Sequence, residues 1–319
     1  MKVIVQIPCF NEASTLKETI RSIPREINGV DCVKILVIND GSTDKTSSVA
    51  RDEGADYVIE LQENRGLAHA FKVGLDKSIE LGADIVVNTD GDNQYVGDDI
   101  KKIVAPIVQK KAEIVIGCRP ISTHPEFSKT KKILQHIGSW ALRKVSKTDV
   151  PDAASGFRAF SRDACHRLII HSSFSHCMET LIQAGNSGIK VHWTNIRINP
   201  KTRESRLFSS IPQYLMKSSG TILLISALYT PGRFFTFAAL MTFTPAFLLG
   251  IRFVYLLLGG FREPGTYIPS LILLSILFLA GILFTSLAII GELLKSHRKL
   301  NEEILYRIKK KSDTPTNYS

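Results

Sequence analysis

The chain has 319 residues, 44% of them hydrophobic and 22% charged, with a formal net charge of +10. Its five cysteines are scattered, odd in number and without a Cys-x-x-Cys pair, which excludes a disulfide framework and speaks against a zinc site, so reduced thiols are expected. The length allows one large or two small domains, and the basic excess gathers toward the C-terminus beside apolar segments, which points to a membrane surface and not to nucleic acid.

The chain enters a strand at once over Lys2–Pro8, and no signal peptide is expected. Cys9–Glu12 is a loop, and Ser14 is placed to cap a helix running to about Arg21. Val33–Ile38 is a second strand, followed by Asn39-Asp40-Gly41-Ser42-Thr43-Asp44 and a helix. Tyr57–Ile59 is a short third strand, Gly66 to about Leu81 a helix, and Ala83–Val87 a fourth strand. Asp98 opens a helix broken or kinked near Pro106, and Glu113–Gly117 is a fifth strand. Strands and helices alternating at this spacing predict a parallel sheet covered on both faces.

The unusual polar residues fall just after strands: Asn11-Glu12, Asn39-Asp40, Asp90 with Asp92, and Arg119. In a parallel sheet those loops gather along one edge, where such sheets bind ligands. Asp90 and Asp92 alternate around Gly91, with Gln94 in reach. Two crowded carboxylates repel unless a cation sits between them, and hard oxygen ligands suit Mg²⁺ or Mn²⁺ with positions left for substrate phosphates. A plain Asp/Gly/Asn turn uses the same residues. Asp40 can accept from a nucleoside or, with the Gly-Ser-Thr-Asp after it, serve a helix cap.

Ile7-Pro8-Cys9-Phe10-Asn11-Glu12 and Val37-Ile38-Asn39-Asp40-Gly41-Ser42-Thr43-Asp44 resemble the first two signatures of family 2 glycosyltransferases. Asn64-Arg65-Gly66-Leu67-Ala68 and Asp90-Gly91-Asp92-Asn93-Gln94 resemble the next two, in order and spacing, over roughly residues 1–210. The resemblance implies an α/β GT-A (Rossmann-like) fold, a nucleoside diphosphate sugar donor and a divalent metal. It places Pro8, Asn11, Glu12 and Asp40 in the nucleoside pocket and Asp90, Asp92 and Gln94 on metal and diphosphate. Asn39 departs from the pattern, since many relatives carry Asp there, which leaves UDP against GDP open.

Beyond Arg119 comes a basic stretch with Lys129, Lys131, Lys132, Arg143, Lys144 and Lys147, read as one amphipathic helix with a solvated basic face. Arg119 lies level with the metal and can neutralise a phosphate. Asp152-Ala153-Ala154-Ser155-Gly156-Phe157-Arg158 resembles a segment of polyprenyl-phosphate sugar transferases, the branch that includes dolichol-phosphate mannose synthases. Arg158 can bind phosphate or anchor its loop to a carboxylate, the structural role being favoured, and Glu179, on a helix with Leu181 and Ile182, can be a base for a hydroxyl acceptor or a structural anchor and is left unassigned. Lys190–Trp193 is an edge strand. Lys201–Phe208 resembles the loop of that branch that closes over the donor diphosphate, with Arg203 and Arg206 stabilising the departing nucleotide.

Phe234–Ile251 carries no charge, Arg252 interrupts, and a second uncharged run covers Tyr267–Gly291. Two spans of about 234–257 and 268–291 are expected, joined by a turn-rich connector into a hairpin. The positive residues that follow the second span outnumber Arg262 in the connector, so both termini are placed in the cytosol of a cell membrane or endomembrane. The division expected is a catalytic domain over 1–207, interfacial helices over 208–232, the spans over 233–292 and a basic tail over 293–319 that binds anionic lipid. Two-helix anchors often pack with copies of themselves, so a homo-oligomer is compatible.

An enzyme with a water-soluble donor site moored at a bilayer takes its acceptor from the bilayer, here a polyprenyl monophosphate held by Arg119 and, by resemblance of its helix, Lys132. Attack on the anomeric carbon with inversion follows, with Asp92, Arg119 and Arg206 as the catalytic set. The rival enzyme transfers to a hydroxyl of a lipid-linked glycan and needs Asp152 or Glu179 as base. A rival of another class is a non-catalytic nucleotide-sugar sensor or scaffold.

Overall fold

The computed structural model describes residues 1–120, 143, 146–170, 176–200, 227, 229–259 and 267–312. The elements in chain order are β1 (Lys2–Cys9), α1 (Leu16–Ser22), β2 (Cys32–Asn39), α2 (Thr46–Asp52), β3 (Tyr57–Glu60), α3 (Leu67–Glu80), β4 (Ile85–Asn88), a 3₁₀ turn (Gly97–Asp99), α4 (Ile100–Val108) and β5 (Ile114–Cys118). Then come β6 (Arg158–Ser161), α5 (Arg162–Arg167), α6 (His176–Asn186), β7 (Val191–Asn195), α7 (Pro231–Leu258) and α8 (Ile268–Ser312). The chain divides into two units, Met1–Ser218 with Glu302–Ser319, and Ser219–Asn301.

In the first unit seven strands form one sheet in the order β3-β2-β1-β4-β6-β5-β7. Alternate residues of β1 face opposite sides. Val3, Val5 and Ile7 enter a core with Leu16 and Ile20 of α1 and with Ile100, Ile103 and Val104 of α4. The other face is closed by α3, where Phe71 meets Phe160 of β6 edge-on at 5.8 Å. Burying each such Val, Ile or Phe side chain is worth about 1.5–3 kcal/mol, which is why the branched runs choose the central strands.

The sheet is not purely parallel: β6 pairs antiparallel with both β4 and β5. The reversal has a functional consequence. A parallel strand offers the loop after it to the carboxyl edge, whereas an antiparallel one offers the loop before it. Asn88, the last residue of β4, lies opposite Arg158, the first of β6, so the segment 152–157 arrives beside Asp90.

Two local expectations change. Thr15, not Ser14, sits at the start of α1, and its hydroxyl caps nothing but donates to the Gly91 carbonyl at 2.9 Å. The helix expected from Asp98 begins as a 3₁₀ turn, and α4 runs through Pro106 to Val108 instead of breaking. Pro106 has no N–H to give the Lys102 carbonyl one turn back, so α4 reaches Val108 with that bond missing. Asp99 is fully buried and holds Arg197 through the Arg197 N–H at 2.6 Å and Nη2 at 2.7 Å, fixing the chain after β7 against this turn.

Within the first unit the last turns of α8 pack on α5: the Tyr306 hydroxyl donates to Asp163 at 2.7 Å and Arg167 lies over the Tyr306 ring at 5.4 Å. In the second unit, α7 is 28 residues long and the apolar part of α8 is longer than a bilayer core requires. Ala239, Ala246 and Ala288 are among its buried residues, beside large exposed apolar ones such as Phe247, Leu258 and Leu283. A Cβ on Gly281 would stand within 2.6 Å of the Phe243 ring, so the two helices approach closely where small residues allow it, the packing habit of membrane helices. The expected spans 234–257 and 268–291 lie within α7 and α8.

Candidate active site

The carboxyl ends of β1, β2, β4 and β5 come together with the start of β6. Asn11 follows β1 in a left-handed conformation, φ 55°, which asparagine tolerates. Its N–H donates to Ser42 Oγ at 2.9 Å and its Oδ1 accepts from the Thr43 N–H at 2.9 Å. The Glu12 N–H donates to Thr46 Oγ1 at 3.0 Å. The loops after β1 and β2 are thus tied into one wall. Asn39 donates to Ser47 Oγ at 2.6 Å and accepts from the Ser42 N–H at 3.0 Å. An aspartate can only accept, so asparagine suits a position that must do both. Pro8 is buried in β1 opposite Ile38.

Asp40 is buried and accepts from the Arg65 and Gly66 N–H groups at 3.1 and 2.8 Å. It anchors the turn before α3, which Gly66 enters at φ 91°. The chemistry is that of a cap, supplied across loops.

Gly91 stands between the two carboxylates. Its carbonyl accepts from the Thr15 and Thr19 hydroxyls at 2.9 and 3.2 Å, and a Cβ there would meet Cys9 Sγ at 2.9 Å. The Asp90 carboxyl is pushed up to about 7, by removal from water first and by the charge of Asp92 second. The Cys9 thiol is pushed well up, by burial and then by Glu12, Asp90, Asp44 and Asp92. Asp90 and Asp92 therefore share one field, and a pair of carboxylates completed by substrate oxygens is a donor set that a hard divalent cation fits. Asp92 Oδ1 accepts from the Gln94 N–H at 3.1 Å, which fixes the loop's curl. Among the described residues no three His, Cys, Asp or Glu side chains gather as a metal cluster. Asp90, Asp92 and the Gln94 amide form the candidate set, and remaining positions would fall to substrate oxygens.

Asp90 must lose its proton to hold a cation. Apparent Mn²⁺ affinity is therefore expected to fall as the pH drops below about 7 and to level off above it, read by titration with the Mn²⁺ electron paramagnetic resonance signal. An affinity flat across that range would contradict it. Melting temperature is a poorer readout. Asp90, raised, lowers metal-free stability as pH climbs to about 7. Buried His176, pushed down to about 4 by burial and then by Arg158, acts in the opposite sense as pH climbs from there to its ordinary value.

Arg119 follows β5 and forms a two-point pair with Asp152, Nε at 2.7 Å and Nη2 at 3.0 Å. Burial opposes the charge on Arg119, but Tyr95 and Asp152 outweigh it and raise its pKa. Asp152 is 1% exposed, both its oxygens accept from the guanidinium, and Oδ2 accepts from the Arg119 N–H as well, at 3.3 Å. The fork has five donors, and the Nη1 edge lies outside this pair. Arg158 is also 1% exposed and donates to the carbonyls of Ser155, Cys177 and Ala153 and to Thr180 Oγ1, all at 2.7–2.8 Å. It binds its own loop. Glu179 is buried on α6.

Asn199 Nδ2 donates to the Asn93 carbonyl at 2.9 Å, and the Asn199 N–H donates to the Gln94 carbonyl at 2.9 Å. Asn199 is thus tied to the Asp90 loop. Lys132, Arg203 and Arg206 lie outside the described residues. The sequence places Asn88 in the stretch that carries Asp90 and Asp92 but assigns no role to it, nor to Tyr95, Asn199 and the Thr15–Thr19 pair. Asn88 carried a signal, being an amide that ends a run of branched apolar residues and is 0% exposed, since a buried amide must be hydrogen-bonded.

Residues 4–169 match the family Glycosyl transferase family 2, just over half the chain, and the chain belongs to that family. It is a glycosyltransferase of GT-A fold. A UDP-N-acetylglucosamine–dolichyl-phosphate N-acetylglucosaminyltransferase from Methanococcus voltae is 28% identical over 68% of this chain and 96% of its own. A dolichol-phosphate mannosyltransferase from Pyrococcus furiosus is 29% identical over 59% of this chain and 54% of its own. The solved structure of glucosyl-3-phosphoglycerate synthase from Mycobacterium tuberculosis with Mn²⁺, UDP and glucosyl-3-phosphoglycerate aligns at TM-score 0.54 and 18% identity, over 71% of this chain and 78% of that one.

Proposed function

We propose that this glycosyltransferase moves a sugar from a nucleoside diphosphate sugar to a polyprenyl monophosphate at a membrane surface. The observation that carries the choice of acceptor is the Arg119–Asp152 pair. A hydroxyl acceptor requires a base within reach; Asp152 is committed to Arg119, and Glu179, the other candidate, is buried on α6. A phosphate oxygen is already ionised at neutral pH and requires none, while a braced guanidinium suits its charge. The two relatives named for transfer to dolichyl phosphate support the same choice.

Arg119 holds the acceptor phosphate, with Lys132 as its partner. Pro8, Asn11, Glu12 and Asp40 frame the nucleoside, with Asp40 acting through the turn it anchors. Asp90, Asp92 and Gln94 hold Mg²⁺ or Mn²⁺, which when bound supplies the positive charge that the leaving diphosphate needs. Arg203 and Arg206 add to that charge. An acceptor oxygen forms a bond to the anomeric carbon as the bond to the nucleoside diphosphate breaks, with inversion. The helices α7 and α8 moor the chain as a two-span anchor, with both termini in the cytosol by the excess of Lys and Arg after Gly291.

Asp152→Asn tests the acceptor. The amide keeps the shape and one acceptor for Arg119 but loses the charge. Lipid-phosphate turnover is expected to fall about tenfold, mostly as a higher KM for the lipid, the size of a supporting-partner effect. A fall of about 100-fold or more in kcat with an unchanged lipid KM would make Asp152 a base and move the acceptor to a hydroxyl.

A further inference from the structure

The loop that carries Asp90 and Asp92 is bracketed by Asn88 and Tyr95, and the side chains of both brackets reach the same residue. Asn88 Nδ2 donates to the Gly156 carbonyl at 2.8 Å. Tyr95 Oη accepts from the Gly156 N–H at 3.3 Å. Gly156 is thus held on both sides by groups that flank the metal loop in sequence. The hold is itself braced. Gln6 Nε2 donates to Asn88 Oδ1 at 3.0 Å, and the Tyr95 ring stacks on Phe157 at 4.9 Å. Asn88 is 0% and Tyr95 4% exposed, so neither hydrogen bond competes freely with water.

Gly156 bears directly on Asp90. A Cβ built on it would lie 3.2 Å from Asp90 Oδ1 and 3.3 Å from Oδ2, tighter than ordinary packing. A side chain at this position would therefore crowd the carboxylate, so where the Gly156 backbone is held decides how much room Asp90 has on this side. We propose that Asn88 and Tyr95, acting through Gly156, are positioning residues that aim the Asp90 carboxylate at the divalent metal, an inference that rests on the metal-binding part of the function above and not on its acceptor. Supporting partners of this kind change metal affinity by about 10–100-fold when lost.

Tyr95→Phe removes the hydroxyl and keeps the stack on Phe157. Gly156→Ala keeps the backbone and crowds the carboxylate. Mn²⁺ is titrated into the full chain in detergent, with UDP and in parallel with GDP, and the free-ion paramagnetic signal is read against nucleotide-only blanks; melting temperature is measured on the same samples. The expected result is Mn²⁺ binding about tenfold weaker in Tyr95→Phe and weaker still, toward about 100-fold, in Gly156→Ala, with Tyr95→Phe melting within a few degrees of the parent. Wild-type Mn²⁺ affinity in both variants would overturn the proposal. So would weakening that appears only in proportion to lost melting temperature. An enzyme that ignores lipid phosphate while its variants still show these shifts removes the acceptor and keeps the frame; the reverse pattern removes the frame alone.

Discussion

Asp92→Asn is expected to lose turnover by at least about 100-fold while the protein stays folded. Loss of a residue that merely supports a metal ligand already costs about 10–100-fold, and the proposed function makes Asp92 a ligand. The fold tolerates the change because Asp92 contributes repulsion to the metal-free protein: its charge is the second cause of the raised Asp90 carboxyl. The amide can also keep the contact with the Gln94 N–H. Turnover near the wild-type level would remove the paired carboxylates from the chemistry. A sensor or scaffold would keep its cellular role in this variant, whereas a transferase loses it.

Arg158→Ala is expected to have the largest effect on stability. Four hydrogen bonds at 2.7–2.8 Å join this one buried side chain to Ser155, Ala153, Cys177 and Thr180. Its removal leaves three carbonyls without that donor, at about 1–3 kcal/mol each if they stay dry, and opens a cavity. A loss of more than about 4 kcal/mol results, or roughly 10 °C in melting temperature for a unit of this size. Differential scanning fluorimetry of the full chain in detergent reads it. A shift under about 2 °C would mean that the segment 152–157 is held by something else. Arg158→Lys is expected to fail as well, because an ammonium lacks the planar fork that reaches partners on two sides.

Both effects trace to parts of the chain that differed in legibility. The central strands were readable because Val3, Ile4, Val5, Ile35, Val37, Ile85, Val86 and Val87 are continuous branched runs buried on both sheet faces. The Asp90 loop was readable because chemistry and strand end coincide. β6 was not: four residues beginning with arginine carry no periodicity, and its antiparallel seat between β4 and β5 is decided by tertiary pairing. The loop before it was still recognised by its residues, yet its placement on Asp90 depends on that reversal. A capping Asp40 and a loop-anchoring Arg158 were among the readings of the sequence, but the partners of Asp40, Asp152 and Arg158 lie across the fold, on the Arg65–Gly66 backbone, Arg119 and α6. Sequence separation of this kind leaves no local trace. The apolar length of α8 was legible, while its continuation to Ser312 rests on polar turns such as the Glu303–Arg307 pair at 2.8 Å.

The most direct test uses the purified full chain in detergent with Mn²⁺ or Mg²⁺ and a panel of UDP- and GDP-sugars, with and without polyprenyl monophosphate, tracking release of nucleoside diphosphate. Release that requires both the lipid phosphate and the metal, and that disappears in Asp92→Asn, is the expected result and names the donor. Release with a lipid-linked glycan but not with the monophosphate, or no release with any sugar while the donor still binds, would contradict it.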